Sequence, residues 1–297
     1  MRERKARKHK TSSDWILDMV TFVFLTLIAV ICVYPFWNIF IISINDATDA
    51  IRGGLYFLPR KISFDSYKDI LTRITFLHSV LVTVLRTAIG TPLAVLATTA
   101  LAYVLSRKEL LCRKPITLFF IFTMYFGGGL VPYYMVLKNL NLLDNFIVYI
   151  FPNLINVYNM ILVRSYIEGM PQELFESSKI DGANDLVIFL KIILPLSKPI
   201  IMTIALFAAI MHWNSWFDAY LYTNTQSLKV MQSILVEILN QYQTAAANQT
   251  AARVGQNITP DSIRMAATMV ATIPIIMVYP FIQKYFVKGI MLGAVKS

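Results

Sequence analysis

The segment ESSKIDGANDLVIFLKIILP, Glu176–Pro195, interrupts an otherwise apolar chain with charged residues placed around a glycine. Gly182 permits a left-handed or tight backbone conformation that most residues avoid. The side chain of Asn184 is suited to cap a following helix, and the residue before Pro195 resists the helical conformation. We therefore predict a short helix that ends near Ile180, a turn, and a second helix that is closed by Pro195.

These two predicted helices carry apolar residues beside three to four acidic ones, which leaves two interpretations. A surface helix with an apolar stripe can lie on a membrane. An anionic lipid surface would repel the acidic residues, so we favour a docking surface for another protein.

Composition indicates that the whole chain is a membrane protein. Hydrophobic residues make up 57% of the 297 residues, charged residues make up only 15%, and the mean hydropathy is +0.59. A helix needs about 20 largely apolar residues to cross the hydrocarbon core of a bilayer. Six stretches meet or nearly meet this requirement, so we predict an all-α membrane protein with one domain of six transmembrane helices. The stretches are residues 15–42, 79–105, 115–137, 146–163, 199–222 and 265–287.

The positions of the 27 lysine and arginine residues predict the orientation of the chain. The N-terminal tail holds six, the 106–114 loop four, the 164–198 segment four and the stretch from Lys284 onward three, whereas the alternate loops together hold nine. Basic residues concentrate on cytoplasmic loops. We therefore predict that both termini and the Glu176–Pro195 segment are cytoplasmic. The net charge of +10 then needs no nucleic-acid partner to explain it.

The sequence lacks the motifs that nucleotide-hydrolysing or metal-dependent enzymes use. No G-x-x-x-x-G-K-[ST] sequence occurs among the eleven glycines to cradle a phosphate, and no H-E-x-x-H sequence is present. Cys32 and Cys112 have no metal-ligand spacing. We therefore predict that this chain is not an enzyme and holds no catalytic residue, no metal site and no cofactor of its own.

Arg86 lies in the second predicted span and allows two interpretations. A charged residue inside a span is expensive and often functional. Alternatively, the span begins at Thr87, which leaves 19 residues to Leu105 and lets the Arg86 side chain extend to the outer interface. We favour the interfacial interpretation.

Two stretches are candidates for a solute path. The sequence FGGGLVP, Phe126–Pro132, is predicted to break the third span, because irregular backbone at membrane depth is tolerated where it lines a wet cavity; a simple helix end is the alternative. The fifth span ends in MHWNSWFDAYLY, Met211–Tyr222, where polar and aromatic side chains suit either a sugar or an interfacial belt. The residue types alone favour the belt. The candidate path residues are Gly127, Gly128, Gly129, His212, Asn214 and Asp218.

From Glu176 onward the chain resembles the cytoplasmic EAA signature of binding-protein-dependent ABC importer permeases. That signature has Glu, two small residues, three others, Gly, nine others and then Ile-x-Leu-Pro, and the spacing is intact here. Two serines replace the usual alanines and keep the small size. The matching residues are Glu176, Ser177, Ser178, Gly182, Ile192, Leu194 and Pro195, and Asp181 lies in the same turn.

Other stretches resemble the carbohydrate-uptake branch of this family, the maltose-type permeases. They are FLPRKISFDSYKDIL in the first outer loop, WNSWFDAYL at Trp213–Leu221 and the tail QKYFVKGIMLGAVKS. The stretch GGGLVPYYMVLKNLNLLDN further resembles a subgroup that handles complex oligosaccharides. The resemblance, and not the composition, implies that the solute is a sugar or oligosaccharide.

The resemblance implies a type I ABC importer permease fold, in which a cytoplasmic helix-turn-helix couples the membrane domain to ATP hydrolysis. We call residues 166–198 the coupling segment. The implied partners are a second homologous permease, two ATPase subunits that bind ATP and Mg²⁺, and an extracellular solute-binding protein or lipoprotein. In this arrangement Glu176 anchors the coupling segment to an ATPase subunit and Gly182 sets the bend.

The predicted organisation is a cytoplasmic basic tail at 1–14, a permease domain at 15–287 and a cytoplasmic C-terminal tail at 288–297, in the plasma (inner) membrane of a prokaryote. A permease for another solute class of the same family is an alternative. A secondary transporter is a further alternative, but it needs ionisable residues near the middle of the membrane. Apart from Arg86 the six spans offer almost none.

Overall fold

The computed structural model describes residues 12–247 and 258–294, and the elements in these two ranges are all helical. This confirms the all-α prediction. Three short 3₁₀ helices and one π-helix accompany the α-helices; they lie at Phe146–Tyr149, Phe151–Asn153, Gln226–Leu228 and Phe189–Ile193. The α-helices are α1 (Ser12–Ser43), α2 (Ala47–Ala50), α3 (Asp65–Leu71), α4 (Ile74–Ser106), α5 (Arg113–Tyr125), α6 (Leu130–Asn139), α7 (Val157–Glu168), α8 (Glu173–Ile180), α9 (Asp185–Ile188), α10 (Leu194–Leu196), α11 (Lys198–Asn214), α12 (Phe217–Tyr222), α13 (Met231–Ala247) and α14 (Pro260–Ala294).

The chain divides into two compact units. One comprises Met1–Ile70 and Tyr242–Met269, and the other comprises Leu71–Gln241 and Val270–Ser297. The second unit contains α4 to α12 and therefore all of the candidate site residues. The predicted domain boundaries after residues 14 and 287 stay predictions, and residues 1–11 and 295–297 lie outside the described ranges.

In the first unit, the loop after α1 is held by a buried carboxylate. The Asp46 side chain accepts hydrogen bonds from the Thr48 hydroxyl at 2.5 Å and from the backbone N–H groups of Thr48 and Asp49, which caps α2. Lys61 lies 3.0 Å from the same carboxylate. These contacts hold the pKa of Asp46 at about 2, the Thr48 hydrogen bond being the largest cause and the Lys61 contact the next.

The described helices fit a membrane-spanning chain. Two of them, α1 from Asp14 and α4, are each long and apolar enough to cross a bilayer, and the number rises to five if each of three bent helix pairs is one span. The bent pairs are Arg113–Tyr125 with Leu130–Asn139, Phe146–Asn153 with Val157–Glu168, and Asp185–Leu196 with Lys198–Asn214. Helix α14 covers the sixth predicted stretch and is not included in that number. The predicted count of six spans stays a prediction.

The third predicted span breaks where the glycines predicted it would. Helix α5 ends at Tyr125 and α6 begins at Leu130, with a bend of 117° between them. Gly129 has a φ of +84°, a conformation that costs a side-chain-bearing residue energy. The backbone is therefore irregular here, and the three glycines are exposed.

The prediction that Pro195 closes the second short helix is wrong. The chain stays helical to Leu196, and the 82° bend comes between Leu196 and Lys198. The reason is the π-helix Phe189–Ile193, in which the Leu194 N–H donates to the Phe189 carbonyl five residues earlier. A proline ring normally clashes with the carbonyl four residues before it, and a widened turn relieves that clash.

The core of the second unit forms where α4, α7, α11 and the coupling segment meet. Ile188 and Ile193 of the coupling segment are fully buried there against α4 and α7. The coupling segment is thus packed into the core through one face. The buried members of this core are Val95, Ala102, Tyr103, Leu105, Met160, Val163, Ile167, Ile188, Ile193 and Ile204.

Candidate functional sites

The coupling segment contains the predicted helix-turn-helix. Helix α8 ends at Ile180, Gly182 has a φ of +78°, and the Asn184 side chain accepts a hydrogen bond from the Val187 N–H at 2.9 Å to cap α9. The Gly182 N–H donates to the Lys179 carbonyl and the Ala183 N–H donates to the Ser178 carbonyl, both at 3.0 Å. This pair of bonds is a Schellman motif, which needs a left-handed residue at the position of Gly182.

The small residues after Glu176 fit the packing of α8. Ser178 is buried, and its hydroxyl donates to the Leu174 carbonyl at 2.5 Å. Ser177 is exposed. Ile192 and Leu194 are partly buried, Ile192 against the core, whereas Pro195 is exposed. We call α8, the turn at Gly182, α9 and the following π-helix the elbow. Some signature residues anchor the elbow to the core, and others remain at its surface.

The surface side of the elbow combines a carboxylate with bare apolar side chains. Glu176 and Ile180 lie four residues apart, and thus on one face of α8. Ile180 is 86% exposed, and Leu186 on α9 is 64% exposed. Glu176 is exposed and has no ion-pair partner within residues 12–247 and 258–294. This surface can bind a partner that supplies a cation beside an apolar recess.

The 106–114 loop contacts α8 beside Glu176. The Arg107 guanidinium lies 5.1 Å from the centre of the Phe175 ring and 5.7 Å from that of Tyr103, and Lys179 lies 3.6 Å from the Glu109 carboxylate. The backbone N–H of Glu109, followed by Arg107 and Lys179, holds the pKa of its carboxyl below the ordinary value. A cavity of about 450 Å³ separates the loop from α8. Its lining includes Arg107, Lys108, Glu109, Arg113, Glu168, Glu176 and Lys179.

The end of α7 is tied to α5 beside this cavity. Glu168 accepts from Arg164 at 2.9 Å and also pairs with Arg113, whose Nε donates to the Leu105 carbonyl at 2.7 Å. Arg164 also donates to the Thr117 hydroxyl at 2.8 Å. Three helix ends, those of α4, α5 and α7, are thereby joined next to the coupling segment.

A second cavity lies among α4, α11 and the start of α7. It has a volume of about 240 Å³. Asn156 caps α7 by accepting from the Asn159 N–H at 3.0 Å, and the Thr98 hydroxyl donates to the Leu154 carbonyl at 3.1 Å. Asn159 is 7% exposed, and no hydrogen bond to its side-chain amide is present in the described part of the chain. The lining residues are uncharged: Ala94, Val95, Thr98, Asn153, Asn156, Tyr158, Asn159, Ile204, Phe207, Ala208 and Met211.

This cavity offers amide and hydroxyl groups beside aromatic rings, a combination that suits a polyhydroxylated solute. We did not predict it from the sequence. A signal was present, because Asn153, Asn156 and Asn159 recur every third residue within the fourth apolar stretch. The 44° bend between Asn153 and Val157 brings the three amides to one cavity.

The interfacial interpretation of Arg86 is wrong. Helix α4 begins at Ile74, so Arg86 lies well inside it, and its side chain is fully buried. The guanidinium forms a bidentate ion pair with Asp218, with Nη1 at 3.1 Å from Oδ1 and Nη2 against Oδ2. The charge is stabilised by a partner within the protein and has no need of solvent.

The candidate path residues fall into three places. His212 and Asp218 contact Arg86, and the His212 ring is 1% exposed. Asn214 is exposed at the end of α11, and the three glycines are exposed between α5 and α6. Contact of any of these residues with a sugar stays a prediction. Within the described residues no group of three or more His, Cys, Asp or Glu side chains is arranged to hold a metal ion.

Comparison with known proteins confirms the resemblance found in the sequence. The model of the family described as "Binding-protein-dependent transport system inner membrane component" matches residues 5–292. The chain is 39% identical to the polygalacturonan/rhamnogalacturonan transport system permease protein YtcP of Bacillus subtilis (strain 168), over 95% of this chain and 99% of that protein. It is 36% identical to protein LplC of the same organism, over 97% and 98% of the two chains.

A solved structure agrees with these relatives. The chain is similar, with a TM-score of 0.81 and 30% identity, to a crystal structure of a bacterial ABC transporter involved in the import of the acidic polysaccharide alginate. The match covers 94% of this chain and 99% of the other. On the strength of the family model and of these full-length similarities, this chain belongs to the family of binding-protein-dependent transport system inner membrane components.

Proposed function

We propose that this chain is one of two homologous permease subunits of an ATP-driven importer and forms half of the path for a sugar or oligosaccharide. An extracellular solute-binding protein or lipoprotein delivers the solute, and two partner ATPase subunits bind ATP and Mg²⁺. The chain lies in the plasma membrane of a prokaryote, spans it six times and has both termini in the cytoplasm. The concentration of basic residues on alternate loops supports this orientation.

The observation that carries the proposal is the elbow of the coupling segment. Its inner residues Ile188 and Ile193 are fully buried, so that the elbow is held rigidly against α4 and α7. Its outer surface presents Glu176, which has no ion-pair partner among the described residues, beside the exposed Ile180 and Leu186. A rigid acidic and apolar surface suits the cleft of an ATPase subunit better than a membrane, because anionic lipid repels its carboxylates.

The chemistry of the uncharged cavity supports a sugar as the solute. Asparagine amides both donate and accept hydrogen bonds, as sugar hydroxyls do, and the Phe207 and Tyr158 rings supply apolar faces. Two of the similar proteins transport polygalacturonan or rhamnogalacturonan and alginate by name, which favours an oligosaccharide. We assign the sugar contact of this subunit to the cavity lined by Asn153, Asn156 and Asn159.

The mechanism we propose is alternating access. Closure of the ATPase pair around ATP moves the two coupling segments, and the helices packed on them open the sugar path to the outside. Helix α7 suits this role, because it begins at the asparagine cavity and ends at Glu168, within the first residues of the coupling segment.

The proposal is tested by reconstituting the complete importer and measuring sugar uptake, ATP hydrolysis and retention of the ATPase subunits on the tagged permease. Glu176→Arg reverses the anchoring charge, and we expect it to abolish uptake and weaken ATPase retention while the chain remains in the membrane. Loss of one partner of a desolvated ion pair costs about 2–5 kcal/mol, which is enough for this effect.

The matched control is Glu237→Arg, which makes the same charge reversal at an exposed residue of α13. We expect it to leave ATPase retention unchanged. Normal uptake and normal ATPase retention with Glu176→Arg would contradict the assignment of the coupling segment. Uptake in the absence of the ATPase subunits would contradict the proposal that this chain belongs to an ATP-driven importer.

A further inference from the structure

The buried guanidinium of Arg86 has a complete set of partners in the second unit. Besides the Asp218 carboxylate, Nη1 lies 3.4 Å from the Ser215 carbonyl and Nε lies 3.4 Å from His212 Nδ1. One face of the guanidinium lies over the Tyr149 ring, 4.6 Å from its centre. An arginine that is fully buried at membrane depth is expensive, and these contacts with four residues offset the cost.

The partners of Arg86 are themselves fixed. Tyr149 is fully buried, and its hydroxyl donates to the Leu228 carbonyl at 2.6 Å. The His212 ring lies against Gly90, where an added Cβ would come within 2.6 Å of Nε2. Tyr149 and His212 therefore form a rigid surface against one side of the Arg86 guanidinium.

On its other side Arg86 holds the junction between α11 and α12. Helix α11 ends at Asn214, and Ser215 is its extended C-cap residue, whose carbonyl lies beyond the last helical turn. Arg86 supplies a positively charged donor there, which is also favourable for the helix dipole. Asp218, in the first turn of α12, accepts from Arg86 and from the Ala219 N–H at 2.8 Å. One side chain thus connects the end of one helix to the start of the next.

Helix α12 presents an aromatic surface from this junction. Trp216, Phe217 and Tyr220 are 38%, 45% and 67% exposed, and Trp216 contacts the rings of both of the others. The opposite side of α12 is buried, with Ala219 fully enclosed. The short length of α12, six residues, means that it needs external contacts to keep its place.

We propose that Arg86 is a positioning residue for transport. It makes no contact with the solute, and through Asp218 and the Ser215 carbonyl it holds α12, with Trp216, Phe217 and Tyr220, in the position that transport requires. The requirement for transport rests on the proposed function, whereas the hold on α12 does not. Arginine is needed because only its planar group reaches Asp218 with two bonds and Ser215 with a third.

The hold on α12 is tested by the reactivity of a buried cysteine. Cys32 and Cys112, which are both exposed, are first replaced by alanine and serine, and Ala219→Cys is introduced into the reconstituted complex. We expect little maleimide labelling at this position with Arg86 intact. Arg86→Met, which keeps an unbranched stem but loses the guanidinium, and Asp218→Asn are each expected to speed labelling about tenfold or more by freeing α12. Thr87→Val, one residue away on α4, is the matched control and is expected to leave labelling unchanged.

Transport measurements separate positioning from a general loss of structure. We expect Arg86→Met and Asp218→Asn to lower sugar uptake about tenfold or more while basal ATP hydrolysis by the complex stays within about twofold, because α12 is not part of the ATPase contact. Arg86→Lys keeps the charge but not the bidentate geometry, and an intermediate result for both labelling and uptake is expected.

Unchanged labelling and uptake in Arg86→Met and Asp218→Asn would overturn the proposal. If uptake falls while the cysteine of Ala219→Cys remains protected from maleimide, the proposal is overturned in favour of a direct role of Arg86. If labelling becomes faster while uptake stays full, the proposal is also overturned, because transport then does not require α12 to be held. Failure of both variants to assemble would assign Arg86 a purely structural role. If the unsubstituted complex imports no sugar, the proposed function fails, and the labelling rates still decide whether Arg86 holds α12.

Discussion

Asp46 shows how a single carboxylate can organise a loop outside the membrane-spanning helices. Its side chain is only 2% exposed, yet it is stabilised in the charged form by the Thr48 hydroxyl, Lys61 and the N–H groups at the start of α2. Its pKa is accordingly lowered from 3.8 to about 2. A carboxyl group whose pKa is lower in the folded state stabilises that state above its ordinary pKa, and loses this contribution as the pH falls.

We therefore expect the protection of the α2 backbone amides from hydrogen exchange to be full above about pH 4 and to fall as the pH is lowered toward 2. Mass spectrometry of the detergent-solubilised chain, corrected for the pH dependence of intrinsic exchange, measures this. Asp46→Asn should lower the protection at neutral pH and reduce its pH dependence, and the dependence that remains comes from Asp49, whose pKa is also lowered by hydrogen bonds from Asn45 and Arg60. The exposed Asp65→Asn is the control, and the same pH profile in the Asp46→Asn variant would contradict the role of Asp46.

Individual residues differ in how far their roles follow from the local sequence. The turn at Gly182 and the cap at Asn184 are local features, and both were predicted correctly because their partners lie within a few residues. Arg86 was misinterpreted because Asp218 lies 132 residues away in the chain. The sequence around Arg86 therefore contains no indication of its partner.

At the scale of helices, α4 and α11 approach closely where Gly90 meets His212. A Cβ at Gly90 would lie 2.6 Å from Nε2 and 2.7 Å from Cε1 of the His212 ring. The ring is enclosed and its neighbour Arg86 is held by Asp218, so it cannot move away easily. The absence of a side chain at Gly90 thus allows these two helices to approach.

We expect Gly90→Ala to destabilise the chain by about 1–3 kcal/mol, although alanine is the better helix former, because the added methyl group overpacks this contact. The midpoint of thermal unfolding in detergent is the measurement. Ala88→Leu adds more atoms to an exposed face of the same helix and should cost less. Combining Gly90→Ala with His212→Ala should recover part of the loss, and equal losses for Ala88→Leu and Gly90→Ala would argue against a specific contact.

The helices could be predicted in position but not in shape. The six apolar stretches coincide with helical regions, and the glycine triplet marked the 117° bend between α5 and α6. The course of the chain past Pro195 was missed, because it depends on a π-helix, which is a consequence of hydrogen bonds rather than of hydrophobic periodicity.

At the scale of the second unit, α7 joins the candidate sugar cavity to the coupling segment. Asn156 and Asn159 stand at its first turn, and Glu168 closes its last. Twelve helical residues give a rod of about 18 Å. The ion pairs of Glu168 with Arg113 and Arg164 fix the far end of this rod.

We expect Asn159→Leu, which keeps the number and branching of the side-chain heavy atoms and removes the amide, to lower sugar uptake about three- to tenfold, as the loss of about 1 kcal/mol of hydrogen bonding would. Retention of the ATPase subunits should be unaffected, since the coupling segment is unchanged. Ser165→Ala, on an exposed face of α7, is the control for the uptake assay. Full uptake by Asn159→Leu would remove the cavity from the sugar path and leave the coupling segment untouched.

The π-helix at Phe189–Ile193 has a consequence for how this protein can change by insertion and deletion. Its wide turn holds one residue more than an α-turn would, and Leu190 within it is 51% exposed. Deleting that single codon would remove little buried surface, yet it would return the turn to α-helical geometry and bring the Pro195 ring against the carbonyl four residues before it. Lys198 and the whole of α11 would then leave in another direction. The direction of α11 therefore depends on the number of residues in this one turn. Substitutions keep that number and are better tolerated here than insertions or deletions.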